Sequence, residues 1–298
     1  MLAGRNDVEF VARYADRMRA FSDDGTTLHG AYGHRWRDWF GAGDLRFDQL
    51  AQCIRSLRQI HEDRRVVLQM WDAASDLARA GKDVPCNLIA TFQVNAHGAL
   101  DMTVFCRSND IVWGCYGANA VHFSMLLEYV AANVGVPVGR YWQVSVNWHG
   151  YTATVEPLFP LIQRTGEQVM DHAVDCPYEA EEVEPYPMFQ DVADLSMWES
   201  DLFEFFQVSN PDSIWGAKLF TPFFNEVVMP MAHAHWIYKK LQGAGSGRYE
   251  ATLSALELVA ATDWRRAASE WIQRRYDKWM RAHDDGPSAA IDGTEVLQ

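Results

Sequence analysis

Two short stretches hold the residues best suited to chemistry. In "VPCN" (84–87) a cysteine follows a proline, and in "CRSND" (106–110) an arginine, a serine and an aspartate close an alternating apolar run. A thiol is a strong nucleophile only as the thiolate, and nearby positive charge favours that form. The intervening "NAHG" (95–98) reads as a tight turn, which makes the two stretches antiparallel neighbours and brings Arg107 beside Cys86. Arginine also binds phosphate through its planar fork of donors, and Arg64 and Arg65 form a second such element. These residues together suggest thiolate attack on an electrophilic, phosphorylated substrate. A buried structural cysteine and a structural Arg107–Asp110 ion pair are the alternatives at this point.

The elements that must position these groups follow from periodicity. Residues 6–22 have helical spacing through Val8, Val11, Ala12, Tyr14, Ala15, Met18 and Phe21, and residues 47–61 repeat it through Leu50, Ile54, Leu57 and Ile60. "RRVVLQMW" (64–71) is β-rich, residues 119–134 read as a buried helix, and "VGRYWQVSVNWHGYTATV" (138–155) returns to strand. Strands and helices mix without a repeating βα unit, so the expected class is α+β with a mixed sheet layered by helices. The character changes beyond a core of residues 1–160. Residues 161–213 read as an acidic irregular segment, 214–283 as a helical extension, and 284–298 as a disordered tail. Trp264, Trp271 and Trp279 lie at nearly helical spacing, as a packing stripe would.

Composition narrows the function classes. The chain has 298 residues, 48% hydrophobic and 22% charged, enough for one large domain or two smaller ones. It has no apolar run of membrane-spanning length, and its first residues are too charged for a signal peptide. Cysteines 53, 86, 106, 115 and 176 show no CxxC or Cys/His metal spacing, which suits reduced thiols in the cytoplasm and no metal site. Residues 1–151 carry 15 basic and 16 acidic side chains, whereas 152–298 carry 11 and 24. Such an acidic surface disfavours nucleic acid and places any phosphate site in the nearly neutral first half.

Around these residues the sequence resembles the thymidylate synthase family, whose motifs occur in family order over residues 30–151. "YGHRWRDW" (32–39) is similar to YGxxWRxW, "FDQL" (47–50) to the DQL helix start, and "EDRRVVLQMWD" (62–72) to the SRR-strand-W segment. "VPCN" stands at PPCH and "CRSND" at QRSxD, while "GCYGANAVHF" (114–123) resembles GxPFN and "WHGY" (148–151) resembles AHxY. The resemblance implies that Cys86 adds to carbon 6 of a deoxypyrimidine monophosphate, whose carbon 5 then attacks the one-carbon unit of 5,10-methylenetetrahydrofolate. It implies that Arg107 and Ser108 bind the phosphate, joined by Arg64 and Arg65 from the partner subunit of a homodimer. Asp110 would order water and backbone around the ring, His149 and Tyr151 would bind the sugar 3′-hydroxyl, and Tyr32 would serve proton transfer. Asn119 would read the base, its amide matching uracil's carbonyl and N–H; cytosine-specific relatives have Asp there, so dUMP is favoured. Plainer readings remain beside these: Tyr32 and Trp36 as core aromatics, His149 as a satisfied core histidine, and Asn119 as a helix cap.

Several departures bear on the product. Asn87 replaces the histidine that usually follows the nucleophile, and "GCYGAN" has one residue more than GxPFN. Met18 and Phe21 stand where two tryptophans flank the folate, and "DGTEVLQ" lacks the apolar tail that closes a synthase site. A looser site lets water rather than hydride reach the exocyclic methylene, and the tetrad RSND resembles the phage pyrimidine hydroxymethylases. The expectation is therefore a dUMP hydroxymethylase, in a host cytoplasm if phage-encoded, with a thymidylate synthase making dTMP as the alternative. The family's catalytic glutamate would precede Met1, so either the true start lies upstream or this chain lacks that group. A non-catalytic nucleotide-binding or scaffolding homologue is the competing class.

Overall fold

The computed structural model describes residues 1–42, 45–160, 177–207 and 219–284. The chain divides into two compact units, one of Met1–Val174 with Asp191–Leu195 and one of Asp175–Gln190 with Ser196–Gln298.

The first unit is built on a four-stranded mixed sheet: β1 (Val67–Gln69), β2 (Asn87–Val94), β3 (Leu100–Cys106) and β4 (Val138–Ser145), in that spatial order. β2 pairs antiparallel with β1 and β3, and β4 runs parallel to β3. The β2–β3 connection is the expected turn. Asn95 Oδ1 accepts the N–H groups of His97 and Ala99, and Gly98 takes the left-handed φ of 79° that a side chain would resist. A parallel β3–β4 pair needs a crossover, and helix Asn119–Val134 supplies it.

Three labelled helices belong to this unit: α1 (Val8–Tyr14), α2 (Gln49–Gln59) and α3, the crossover Asn119–Val134. Asp7 and Asp48 cap the first two by accepting the N–H groups of Phe10 and Ala51. One sheet face is sealed by Leu68, Ala90, Phe92, Leu100, Met102 and Val104. The helices turn Leu50, Ile54 and Leu57 from α2 and Phe123, Leu126 and Val130 from α3 into the same core, beside the fully buried Trp36.

Three local expectations change. Helix 6–22 breaks at Ala15, where φ −136° and ψ 79° leave helical geometry, and a tighter helical turn, Asp16–Phe21, follows. Strand 138–155 ends at Ser145; Trp148–His149 then forms a short ladder with Asn109–Asp110, and Thr152–Val155 is helical. The segment 161–213 contains the helix Val192–Gln207, α4, although acidity and the nearby prolines suggested irregular chain. Its Trp198 and the fully buried Asp201 show why: they supply an apolar anchor and a carboxylate that accepts the N–H groups of Phe220 and Thr221.

The second unit also holds α5 (Met229–Lys240), α6 (Gly247–Leu256) and α7 (Thr262–Asp284). The tryptophan stripe packs as expected: Trp264 meets Phe223 edge-on, Trp271 meets Tyr238, and Trp279 stacks on His283. The tail from residue 285 lies outside the described residues.

Candidate active site

β2 and β3 meet at Asn87 and Cys106, so Cys86 and Arg107 lie one residue beyond that pair on neighbouring strands. The Arg107 N–H donates to the Cys86 carbonyl at 2.9 Å. The Arg107 side chain donates through Nε to Pro85 O and through Nη2 to Val84 O, at 2.9 and 3.2 Å. It thus braces the backbone carrying the thiol. Burial pushes the Cys86 thiol up, the Arg107 charge opposes that rise, and Asp83 adds to it. Asp83 itself accepts the Gly30 N–H at 2.8 Å.

Tyr32 comes to the same place from the chain's "YGHRWRDW" segment. Its phenol oxygen accepts the N–H groups of both Cys86 and Asn87 at 3.1 Å. Burial first, and the neighbouring Cys86 second, push its hydroxyl up to about 12, so it keeps its proton. Tyr32 is therefore more than a core aromatic, whereas Trp36 is a core residue packed on Phe123.

Asn119 begins α3 without capping it. Its Oδ1 accepts from Asn87 Nδ2 at 3.2 Å and its Nδ2 donates to Asn109 Oδ1 at 3.1 Å. The extra residue of "GCYGAN" is absorbed in the wide turn Ile111–Ala118, where Gly117 leaves helical geometry (φ −106°, ψ −114°). Gly114 is needed there because a Cβ would collide with Asn109 Oδ1.

Arg107 and Asp110 do not form the alternative ion pair. The Asp110 carboxylate caps the wide turn through the Trp113 N–H and accepts the Tyr151 N–H at 3.4 Å. The ladder beside it carries His149, whose Nδ1–H donates to Asn147 Oδ1 and whose ring meets Tyr151 edge-on. An open pocket of about 540 Å³ lies next to His149, walled by Ile111, Trp148, Val155 and Phe159. Cys86 is not in its wall. Ser108 completes the CRSND segment, its carbonyl accepting the Cys106 thiol.

Arg64 and Arg65 are exposed, and Arg65 is held by Asp63 through two side-chain bonds. Among the described residues no hydrogen bond or ion pair joins them to Arg107. Of the two residues standing where folate-flanking tryptophans are expected, Met18 packs against the Val8, Ala12 and Leu28 core, whereas Phe21 is exposed. The described cysteines 53, 86, 106 and 115 are free thiols. Among the described residues no His/Cys/Asp/Glu group could hold a metal, and no helix is long and apolar enough to cross a membrane.

Asn87 and Asn109 are the site residues that the motifs underplayed. Both are asparagines on strands, where that residue is depleted, and this was the available signal.

Comparison with known proteins matches residues 4–192 to the family model described as thymidylate synthase. The chain is 49% identical over 290 residues to a deoxyuridylate hydroxymethyltransferase of Pseudomonas phage M6, covering 96% of this chain and 79% of that protein. It is 38% identical over 157 residues to a deoxyuridylate hydroxymethyltransferase of Bacillus phage SP01, covering 51% of this chain and 41% of the relative. A putative thymidylate synthase of Methanothermobacter thermautotrophicus is 38% identical over 143 residues, covering 48% and 60%.

Proposed function

Given that the chain belongs to the thymidylate synthase family, we propose that it transfers a one-carbon unit to carbon 5 of dUMP and releases 5-hydroxymethyl-dUMP. The observation that carries this reading is the identity with a deoxyuridylate hydroxymethyltransferase along nearly the whole chain, the helical unit included. The site geometry supports it. Cys86 adds through Sγ to carbon 6 of the pyrimidine, and Asn119 pairs with the edge of the base. Arg107 has donors left beyond those bracing residues 84–85, and with Ser108 it binds the phosphate. Asp110 ties the wide turn to Tyr151 and so shapes the wall around the ring, while His149 and Tyr151 receive the sugar hydroxyl. The proton kept by Tyr32 is available for transfer at the ring.

The one-carbon donor on this reading is 5,10-methylenetetrahydrofolate, which supplies the methylene carbon. The exposed rings of Phe21, Trp113 and Trp148 offer flat apolar surface of the kind its heteroaromatic ring needs. Met18, half-buried against Val8, Ala12 and Leu28, carries no ring to offer. With a single aromatic in place of two tryptophans, water reaches the exocyclic methylene and gives the hydroxymethyl product.

The site is completed by a second copy. The outer sheet face presents Val67, Trp142 and Val144 exposed, with Ile89 and Phe105 half-buried in register with Val144. Such a face is a protein interface by composition. Packed against its twofold mate, it forms the homodimer in which Arg64 and Arg65 reach the partner's phosphate.

Incubation with dUMP and methylenetetrahydrofolate, followed by chromatography, tests the reading. 5-Hydroxymethyl-dUMP with tetrahydrofolate is the expected product, and it should vanish in Cys86→Ala while nucleotide binding persists. dTMP with stoichiometric dihydrofolate would instead make this a thymidylate synthase. Failure of 5-fluoro-dUMP and methylenetetrahydrofolate to leave a stable adduct on Cys86 would favour a non-catalytic homologue.

A further inference from the structure

Asn119 is the middle member of a continuous buried relay of amides. Asn87 Nδ2 donates to Asn119 Oδ1 at 3.2 Å, Asn119 Nδ2 donates to Asn109 Oδ1 at 3.1 Å, and Asn109 Nδ2 donates to Ser145 Oγ at 2.9 Å. Asn87, Asn109 and Asn119 are 0%, 2% and 8% exposed, so water is a poor substitute for any of these partners. Each amide therefore dictates the orientation of the next. Turning Asn119 alone would set oxygen against oxygen at Asn87 and N–H against N–H at Asn109.

The whole relay, by contrast, can reverse, because the Tyr32 hydroxyl that the Asn87 side chain also meets can donate as well as accept. Asn87 Oδ1, at one end, has no hydrogen-bond partner among the described residues. Ser145, at the other, has a hydroxyl that either accepts or donates. Reversal exchanges the positions of the oxygen and nitrogen that Asn119 offers. Uracil presents N–H at ring position 3 and a carbonyl at position 4; cytosine presents a bare nitrogen and an amino group. The two bases are thus matched by the two opposite orientations of one amide.

We propose that Asn87 and Asn109 are specificity-determining positioning residues, which choose between uracil and cytosine by fixing the direction of the Asn119 amide. This rests on the reading that Asn119 faces the base, and the direction seen here is then the one assigned to uracil. The asparagine after the nucleophile acquires a purpose in this arrangement. Its amide reaches Asn119 directly and presents a donor to it.

Isosteric acids separate this from a merely structural role. The carboxylate form of Asn87→Asp, which needs a raised pH because burial favours the neutral acid, can only accept, so Asn119 must turn its nitrogen towards position 87 and the relay reverses through Ser145. Asn109→Asp also only accepts, but the existing direction already requires an acceptor there, and the Ser145 hydroxyl can donate to it. Equilibrium dissociation constants for dUMP and dCMP, measured by calorimetry on the full chain, give the ratio that matters. Asn87→Asp should move that ratio at least tenfold towards dCMP, whereas Asn109→Asp should leave dUMP preferred. Asn87→Ser, a neutral hydroxyl that donates or accepts, should weaken discrimination without inverting it, and it serves if the acid does not fold. Equal ratio changes in both acids, or full discrimination in Asn87→Ser, would overturn the proposal while leaving dUMP binding by the wild type intact. A wild type that binds neither nucleotide would overturn the functional reading and the relay's role with it.

Discussion

The phenol oxygen of Tyr32 stands 3.1 Å from the backbone nitrogen of Cys86 and at the same distance from that of Asn87. Two consecutive N–H groups at the start of a strand are thereby satisfied by one side chain from a remote segment, and the nucleophile's backbone is pinned. Tyr32→Phe keeps the ring and loses the acceptor. Each buried N–H left unpaired costs about 1–3 kcal/mol. The expected result is a folded protein with kcat lowered by about ten- to a hundredfold, since a nucleophile misplaced by a fraction of an ångström reacts less often. Steady-state kinetics beside a thermal melt checks it; unchanged kcat would remove the pinning role.

The thiol itself should report its surroundings. Burial raises the Cys86 pKa above its ordinary value, so less thiolate exists at a given pH and alkylation is slower than for a free thiol. Arg107→Ala should push the midpoint of iodoacetamide labelling to still higher pH, because it removes the charge that favours the thiolate. Asp83→Asn should move it down, because it removes a carboxylate that disfavours the thiolate. Peptide mass mapping isolates Cys86 from the other thiols. Midpoints unmoved by both substitutions would show that neither charge is felt at the sulfur.

A buried ion pair anchors the segment that delivers Tyr32. Arg35 donates to both carboxylate oxygens of Asp76 at 2.7 and 2.9 Å, and Asp76 also meets His29 at 2.7 Å. Burial alone would raise the Asp76 pKa, but bonds from Arg35, the Asp72 N–H and His29 outweigh it and hold it below the ordinary 3.8. A carboxyl depressed in the folded state stabilises fully above its unfolded pKa, and that contribution fades as pH falls through the folded value. Asp76→Asn should cost about 3–5 kcal/mol at neutral pH by stranding Arg35. It should also flatten the acid side of the stability profile. Urea titrations at several pH values measure both.

The proposed dimer makes its own prediction. Trp142 is 54% exposed on a sheet face that a twofold mate would cover. Trp142→Glu should give a monomer in sedimentation velocity and abolish turnover, because the phosphate site loses the partner's arginines. Mixing Arg64→Ala/Arg65→Ala chains with Cys86→Ala chains should recover about a quarter of wild-type activity, as one site in each heterodimer is whole. A fully active Trp142→Glu monomer would refute the shared site.

Much of this architecture was legible because it is local. The turn at 95–98 follows from Asn95 and Gly98, α2 from its Leu50–Ile54–Leu57 stripe, and the Cys86–Arg107 approach from pairing two alternating strands. The helix at 192–207 was hidden, since its acidic surface resembles irregular chain until Trp198 and Asp201 find their buried partners. The same holds within the site. Chemistry and strand pairing pointed to Cys86 and Arg107, since a nucleophile and a cation each have a characteristic use, whereas Asn119 entered only through the resemblance to the family. That Asn87, Asn109 and Ser145 line up with Asn119 was decided by strand register and by the wide turn at Gly114–Gly117, which bring together residues up to 58 positions apart. Hydrogen bonds depend on position to a few tenths of an ångström, and no periodicity in one dimension encodes that distance.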